Sequence, residues 1–186
     1  PDGRWLGAAS YGGRAAIWTL GGEEVVGIKA SKKNLTSLAF SPDSRMLATS
    51  GLGDDISIWA LPSGEQIGTL SGHEMAVGTL MFTSDGRQLV SLGHEGAVKF
   101  WRTDDWADVR TLEADEPGLR GFALSPDEER MALRLPGKVQ VRSVADWTVT
   151  ADLPIRTQVV AGVAFSPDGR WLAASTADGK IRVWER

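Results

Sequence analysis

Two histidines, no cysteine and a scatter of paired carboxylates are the chemistry-bearing side chains of this 186-residue chain. A metal site needs several His, Cys or carboxylate ligands converging on one point, and a catalytic nucleophile needs a base beside it. His73 follows Gly72, His94 sits beside Glu95, and Asp54–Asp55 and Asp104–Asp105 are neighbouring pairs. Adjacent carboxylates in runs of Gly, Ser and Thr favour turns, because their oxygens accept local backbone N–H groups. His94 in turn reads as a solvated turn residue. None of the phosphate-cradling, nucleophile-elbow or zinc-protease patterns occurs, so no catalytic residue, metal or cofactor is expected.

Composition narrows the classes further. Hydrophobic residues make up 42% of the chain and charged ones 24%, as in an ordinary folded domain. A formal net charge of -4, spread in both signs along the chain, gives no footprint for nucleic acid or an anionic membrane. No apolar run approaches the roughly 18 residues of a membrane span. A cytoplasmic setting is the expectation.

The elements that would position these residues are set by a repeat. Asp2, Asp43, Asp85, Asp127 and Asp168 recur at intervals of 41, 42, 42 and 41, mostly within Ser/Thr-x-Asp phrases. A fixed period of this size marks one small unit stacked on copies of itself. The copies run over 1–33, 34–72, 73–115, 116–156 and 157–186. Residues 34–72 hold four short runs in which apolar residues alternate with small or polar ones, separated by turn residues such as Pro62-Ser63-Gly64. Alternation at period two means strands, and short turns force antiparallel neighbours. Leu38 and Phe40 on the first strand, and Ile56 and Ile58 on the third, keep that spacing in the other copies. The expectation is one face buried throughout. The first and last copies have room for three strands and the others for four, eighteen in all.

The third strand ends in Trp18, Trp59, Trp101 and Trp184, with Arg142 in the fourth copy. With the period, the Ser-Pro-Asp-Gly turns and the Gly72-His73 pair, the chain resembles the WD-repeat β-propeller family over its whole length, as about 4.4 repeats. Its terse repeats resemble bacterial members. The resemblance implies an all-β, partial propeller of four-stranded antiparallel blades. Joining the two ends would make a blade of six strands, so the ring is expected to stay open or to be completed by further chain, with self-association through the open ends.

The resemblance also implies a buried network of His, Ser or Thr, Asp and Trp within a blade. His73, Ser91 and Trp101 stand in those places, with Glu95, one methylene longer, where the family has Asp. Elsewhere the set is partial: Thr49 with Trp59 but Ser31 in the His place; Asp178 with Trp184 but Arg156 and Ala174; and, beside Arg142, Asp115, Ala132 and Pro136. Apolar packing would then hold the fourth blade.

Where the copies differ, function is expected. The family resemblance implies a non-catalytic protein-binding scaffold within a larger signalling or regulatory protein. Candidate contacts are the rim residues Lys32, Lys33, Asp54, His94 and Lys138, together with Arg142, Trp106 and Trp147. For the tryptophans the alternative is a ring folded over its own blade edge; for Arg142 it is an aliphatic stem covering apolar surface. Trp5 and Trp171 read as packing residues. A different class, a sensor or gate for a kinase, protease or nucleotide-hydrolysing domain outside this chain, would need a catalytic signature elsewhere in the parent protein.

Overall fold

The computed structural model describes residues 3–114, 118–157 and 159–185. Among them are eighteen strands in five sheets. The first sheet holds β1 (Trp5–Ala9), β2 (Arg14–Thr19) and β3 (Glu24–Lys29). The second holds β4 (Leu35–Phe40), β5 (Met46–Gly51), β6 (Ile56–Ala60) and β7 (Gln66–Leu70). The third holds β8 (Val77–Phe82), β9 (Gln88–Gly93), β10 (Ala97–Arg102) and β11 (Asp108–Glu113). The fourth consists of β12 (Phe122–Leu124), β13 (Arg130–Leu135), β14 (Lys138–Ser143) and β15 (Val149–Pro154), and the fifth of β16 (Val160–Phe165), β17 (Trp171–Thr176) and β18 (Ile181–Glu185). Consecutive strands pair antiparallel within each sheet. This is the all-β, partial propeller of antiparallel blades. The first three sheets form one compact unit, Pro1–Glu113, and the last two another, Ala114–Arg186.

Each repeated Ser/Thr-x-Asp phrase is a turn locked by its own side chains. Ser41 Oγ donates to Asp43 at 2.6 Å, the amide of Arg45 donates to the same carboxylate at 3.0 Å, and Met46 N donates back to Ser41 Oγ at 2.9 Å. Thr83 with Asp85, Ser125 with Asp127 and Ser166 with Asp168 repeat the clasp. Asp2 and Asp115, with Glu116 and Pro117, lie outside the described residues.

The sheet register corrects the expectation of a single buried face. Phe40 lies opposite Leu47, which lies opposite Trp59, whereas Ile58 lies opposite Ala48. Residues directly across from one another share a face, so the first-strand and third-strand pairs project from opposite faces. Both faces are buried. Leu35, Leu47 and Trp59 pack with Ala15, Ile17 and Ile28 of the first sheet. On the other side, Ala48, Ile56, Ile58 and Leu70 pack with Val77, Leu80, Phe82, Leu89 and Trp101 of the third. In the second unit, Val139 and Val141 pack on Val160, Leu172 and Trp184 in the same sense. Within each unit the tryptophan face of one blade lies on the third-strand aliphatic face of the blade before it. Burial of a side chain such as Ile58 contributes about 1.5–3 kcal/mol. Ile56 and Ile58 are 0% exposed, but their counterparts in the fifth sheet, Ile181 and Val183, are 72% and 56% exposed.

Hydrogen bonds stitch the first three sheets together. Trp5 Nε1 donates to Ser44 O at 3.1 Å, Ser50 Oγ to Val77 O at 3.0 Å, and Leu80 N to Ser37 Oγ at 3.1 Å. Trp5 thus packs in the core and also clips its sheet to the next turn.

Candidate functional site

The third blade carries a continuous polar chain through its apolar interior. Trp101, next to last in β10, lies opposite Leu89, Ser91 lies two residues further along β9, and His73 and Glu95 come from the loops that flank the sheet. The indole Nε1–H of Trp101 donates to Ser91 Oγ at 2.8 Å, and His73 Nε2 lies 2.7 Å from the same oxygen. His73 Nδ1 meets Glu95 Oε1. An ionised carboxylate only accepts, so a neutral imidazole holds its proton on Nδ1 against Glu95, and Nε2 then accepts the hydroxyl proton of Ser91, whose oxygen in turn accepts the indole N–H. Every member of the series has a partner, and the His73 side chain has no solvent exposure. The extra methylene of Glu95 fits because Gly93 stands beside it: a Cβ there would overlap the carboxylate. Its second oxygen, Oε2, is buried without a hydrogen bond.

The other blades stop short. In the second, Trp59 Nε1 donates to Thr49 Oγ1 at 2.9 Å and no imidazole continues the series. In the fifth, Asp178 accepts from Thr176, which holds its carboxyl below the usual range, and lies 3.7 Å from Arg182.

The fourth blade departs from expectation twice. Ala132 is not in the hydroxyl place: Gln140 stands where Lys99 stands in the third blade, and the residue opposite it is Leu133, as Ser91 is opposite Lys99. Nor is the blade held by apolar packing alone. Arg142 Nε donates to Gln140 Oε1 at 2.6 Å, and Gln140 Nε2 donates to Asp152 Oδ1 at 3.1 Å. The bond from Gln140 is the main reason the Asp152 carboxyl titrates below its ordinary range. Lys138 Nζ stands 3.3 Å from the same oxygen, and the Arg142 guanidinium lies 5.2 Å from the centre of the Trp147 ring. Gln140 and Arg142 are 2% and 8% exposed. Arg142 is therefore an interior residue, and it acts through its head group more than its stem. Gln140 and Asp152 went unread in the sequence; the available signal was a lone amide between Val139 and Val141 on an otherwise apolar strand.

The turn tryptophans are also engaged. Trp106 does not fold over its own blade edge: its ring lies over Gly68 of the preceding sheet and against that sheet's core cluster. Trp147 is half-buried under Arg142. Both adopt positive φ, 60° and 63°.

The rim residues of the first unit are the open ones. Lys32, Lys33, Asp54 and His94 are exposed, with the His94 ring over Gly78. Lys32, Lys33, Asp54, Asp55, Gln66 and Thr69 border a cleft of about 400 Å³ floored by buried Thr49. Among the described residues no group of three or more His, Cys, Asp or Glu side chains is placed to hold a metal ion.

Stacked four-stranded blades with a Trp–Ser–His–carboxylate series define a WD-repeat protein. Residues 22–60, 64–102 and 147–185, more than half of the chain, match the family described as WD domain, G-beta repeat, and the chain belongs to that family. The matches pass over the copy that ends at Arg142. Human transducin beta-like protein 2 is 25% identical over 201 residues, taking in 98% of this chain and 45% of that protein. Rat telomerase protein component 1 is 29% identical over 178 residues, 94% of this chain and 7% of that protein. The chromatin assembly factor 1 subunit FAS2 homolog of Oryza sativa subsp. japonica is 29% identical over 164 residues, 80% of this chain and 32% of that protein. The chain spans less than half the length of each of these relatives. All three are eukaryotic and lend no support to a bacterial kinship.

Proposed function

We propose that this chain is part of a non-catalytic protein-binding scaffold within a larger regulatory or signalling protein. The observation that carries the reading is the rim cleft of the first unit, where exposed Lys32 and Lys33 face exposed Asp54 and Asp55 around polar Gln66 and Thr69. Both signs of charge around one polar cleft suit a folded protein surface better than a small, highly charged ligand. A relative named as a subunit of an assembly factor is in keeping with this. Exposed Ile181 and Val183 give the fifth sheet a second adhesive surface, through which copies self-associate.

The test is affinity purification of the full-length protein from cells, wild type against a Lys32→Glu, Lys33→Glu, Asp54→Lys variant of unchanged thermal stability. The variant is expected to lose its specific co-purifying proteins. Retention of all of them would sink the proposal. Light scattering across a concentration series checks the self-association, which predicts a mass that rises with concentration.

A further inference from the structure

On the rim of the second unit a guanidinium is held in place by backbone carbonyls, with no counter-ion among the described residues. Arg134, near the end of β13, donates Nη1–H to Ala161 O and Nη2–H to Arg120 O, the latter at 2.6 Å. Its head group lies over Gly121, where a Cβ would be 3.1 Å from Nη2. Its Nε is buried with no hydrogen-bond partner. Arg120 is exposed beside it, and among the described residues neither guanidinium has a carboxylate within ion-pair distance. Burial, and then the neighbouring charge of Arg120, push the Arg134 pKa down, so the site disfavours the cation it contains. Two like charges facing one cleft with a stranded N–H are a standing electrostatic deficit.

The position is particular to this blade. In register with Arg134, the third sheet has Leu92 and the fifth has Ser175. Around the two arginines, Leu135, Pro136, Val159 and Val160 line a cleft of about 500 Å³. Among the described residues its lining offers no lysine and no hydroxyl, such as a phosphate group with three charged oxygens would call for. Planar N–H forks match the two oxygens of a carboxylate, and the apolar walls match the methylenes that carry it.

The geometry points to a binding site for a glutamate or aspartate side chain of a partner's peptide segment, seated between Arg120 and Arg134. This deepens the scaffold reading and rests on it. It gives the second unit a contact of stated chemistry, separate from the cleft of the first.

Fluorescence anisotropy with a labelled Leu-Glu-Glu-Leu peptide and its Leu-Gln-Gln-Leu twin tests it on the full chain. The glutamate peptide is expected to bind at least about tenfold more tightly than the twin, a difference near 1.4 kcal/mol. Arg134→Gln should abolish the preference. Because Arg134 also ties two strand starts together, Arg120→Ala, which removes an exposed side chain, supplies the independent check and should weaken the glutamate peptide at least about fivefold. Equal binding of the two peptides, or an Arg120→Ala variant that binds as wild type, overturns the site. So does displacement of the peptide by inorganic phosphate at equal concentration, which would make it a small-anion site. Partner capture that depends on Lys32 and Lys33 without any glutamate preference overturns this site and leaves the scaffold reading intact; glutamate preference without partner capture does the reverse.

Discussion

Gly68 and Trp106 are a matched pair across a blade interface: the indole occupies the space that a side chain on Gly68 would fill, with its Nε1 3.3 Å from where a Cβ would be. The preceding interface has the opposite arrangement. There Val26 stands in the place of Gly68 and Gly64 in the place of Trp106, and a Cβ on Gly64 would collide with Val26. The blades exchange which partner supplies the bulk and keep the spacing.

This exchange predicts a non-additive pair. Trp106→Gly relieves a positive φ but empties the contact, and should cost about 1–3 kcal/mol. Gly68→Val overpacks against the ring and should cost a similar amount. Together the two substitutions recreate the Val26–Gly64 arrangement, so the double variant should be at least about 1 kcal/mol more stable than the sum of the singles predicts. Urea unfolding of the four proteins measures it, and strict additivity would refute the exchange.

The polar series in the third blade should be worth more than its shorter counterpart in the second. Ser91→Ala strands both the Trp101 indole N–H and His73 Nε2 in the interior, which at about 1–3 kcal/mol per buried orphan totals roughly 2–6 kcal/mol. Thr49→Ala strands only the Trp59 indole and should cost about 1–3 kcal/mol. Thermal or chemical denaturation ranks them; equal costs would mean that the imidazole adds nothing.

What the sequence revealed and what it hid divide along a physical line. The strands, their antiparallel order and the turns depend on neighbours within one copy, and the alternation around Ile56 and Ile58 made them legible. His73, Ser91 and Trp101 were legible for the same reason, since each falls at a fixed place in the repeat. Trp106 on Gly68 was not, because it depends on how one blade's turn meets another blade's outer strand. The opposite faces of Phe40 and Ile58 follow from cross-strand register, which spacing along a single strand leaves open. Gln140 and Arg142 stayed hidden because their partnership replaces the family's network and so follows no motif.

Acid sensitivity should follow the clasped turns. The hydroxyl of Ser41, Thr83 or Ser166, followed by the amide of Arg45, Arg87 or Arg170, holds the carboxyls of Asp43, Asp85 and Asp168 below the usual range. A carboxyl with a depressed folded-state pKa contributes stability that is fully present above its unfolded value near 3.9 and is lost as pH falls through the folded value. The melting temperature is expected to be level from about pH 7 to 5 and to fall below about pH 4. Asp85→Asn should lower the plateau and make the acid limb shallower. An acid limb of unchanged steepness in that variant would move the sensitivity elsewhere.

Arg142 and Gln140 supply the sharpest test of how a blade survives without the family's network. The Arg142 guanidinium is buried, and Gln140 satisfies its Nε while passing the contact on to Asp152. Gln140→Leu keeps the volume but leaves a charged donor without its acceptor, which should cost about 2–3 kcal/mol. Arg142→Trp alone should not restore stability, since Leu133, in the hydroxyl place, offers the indole N–H no acceptor. Adding Leu133→Ser to Arg142→Trp supplies the acceptor that Ser91 gives Trp101, and should recover at least about 1 kcal/mol relative to Arg142→Trp. Urea unfolding of the three variants settles the order. If Gln140→Leu is neutral, the blade is held by Val139, Val141 and their apolar neighbours after all.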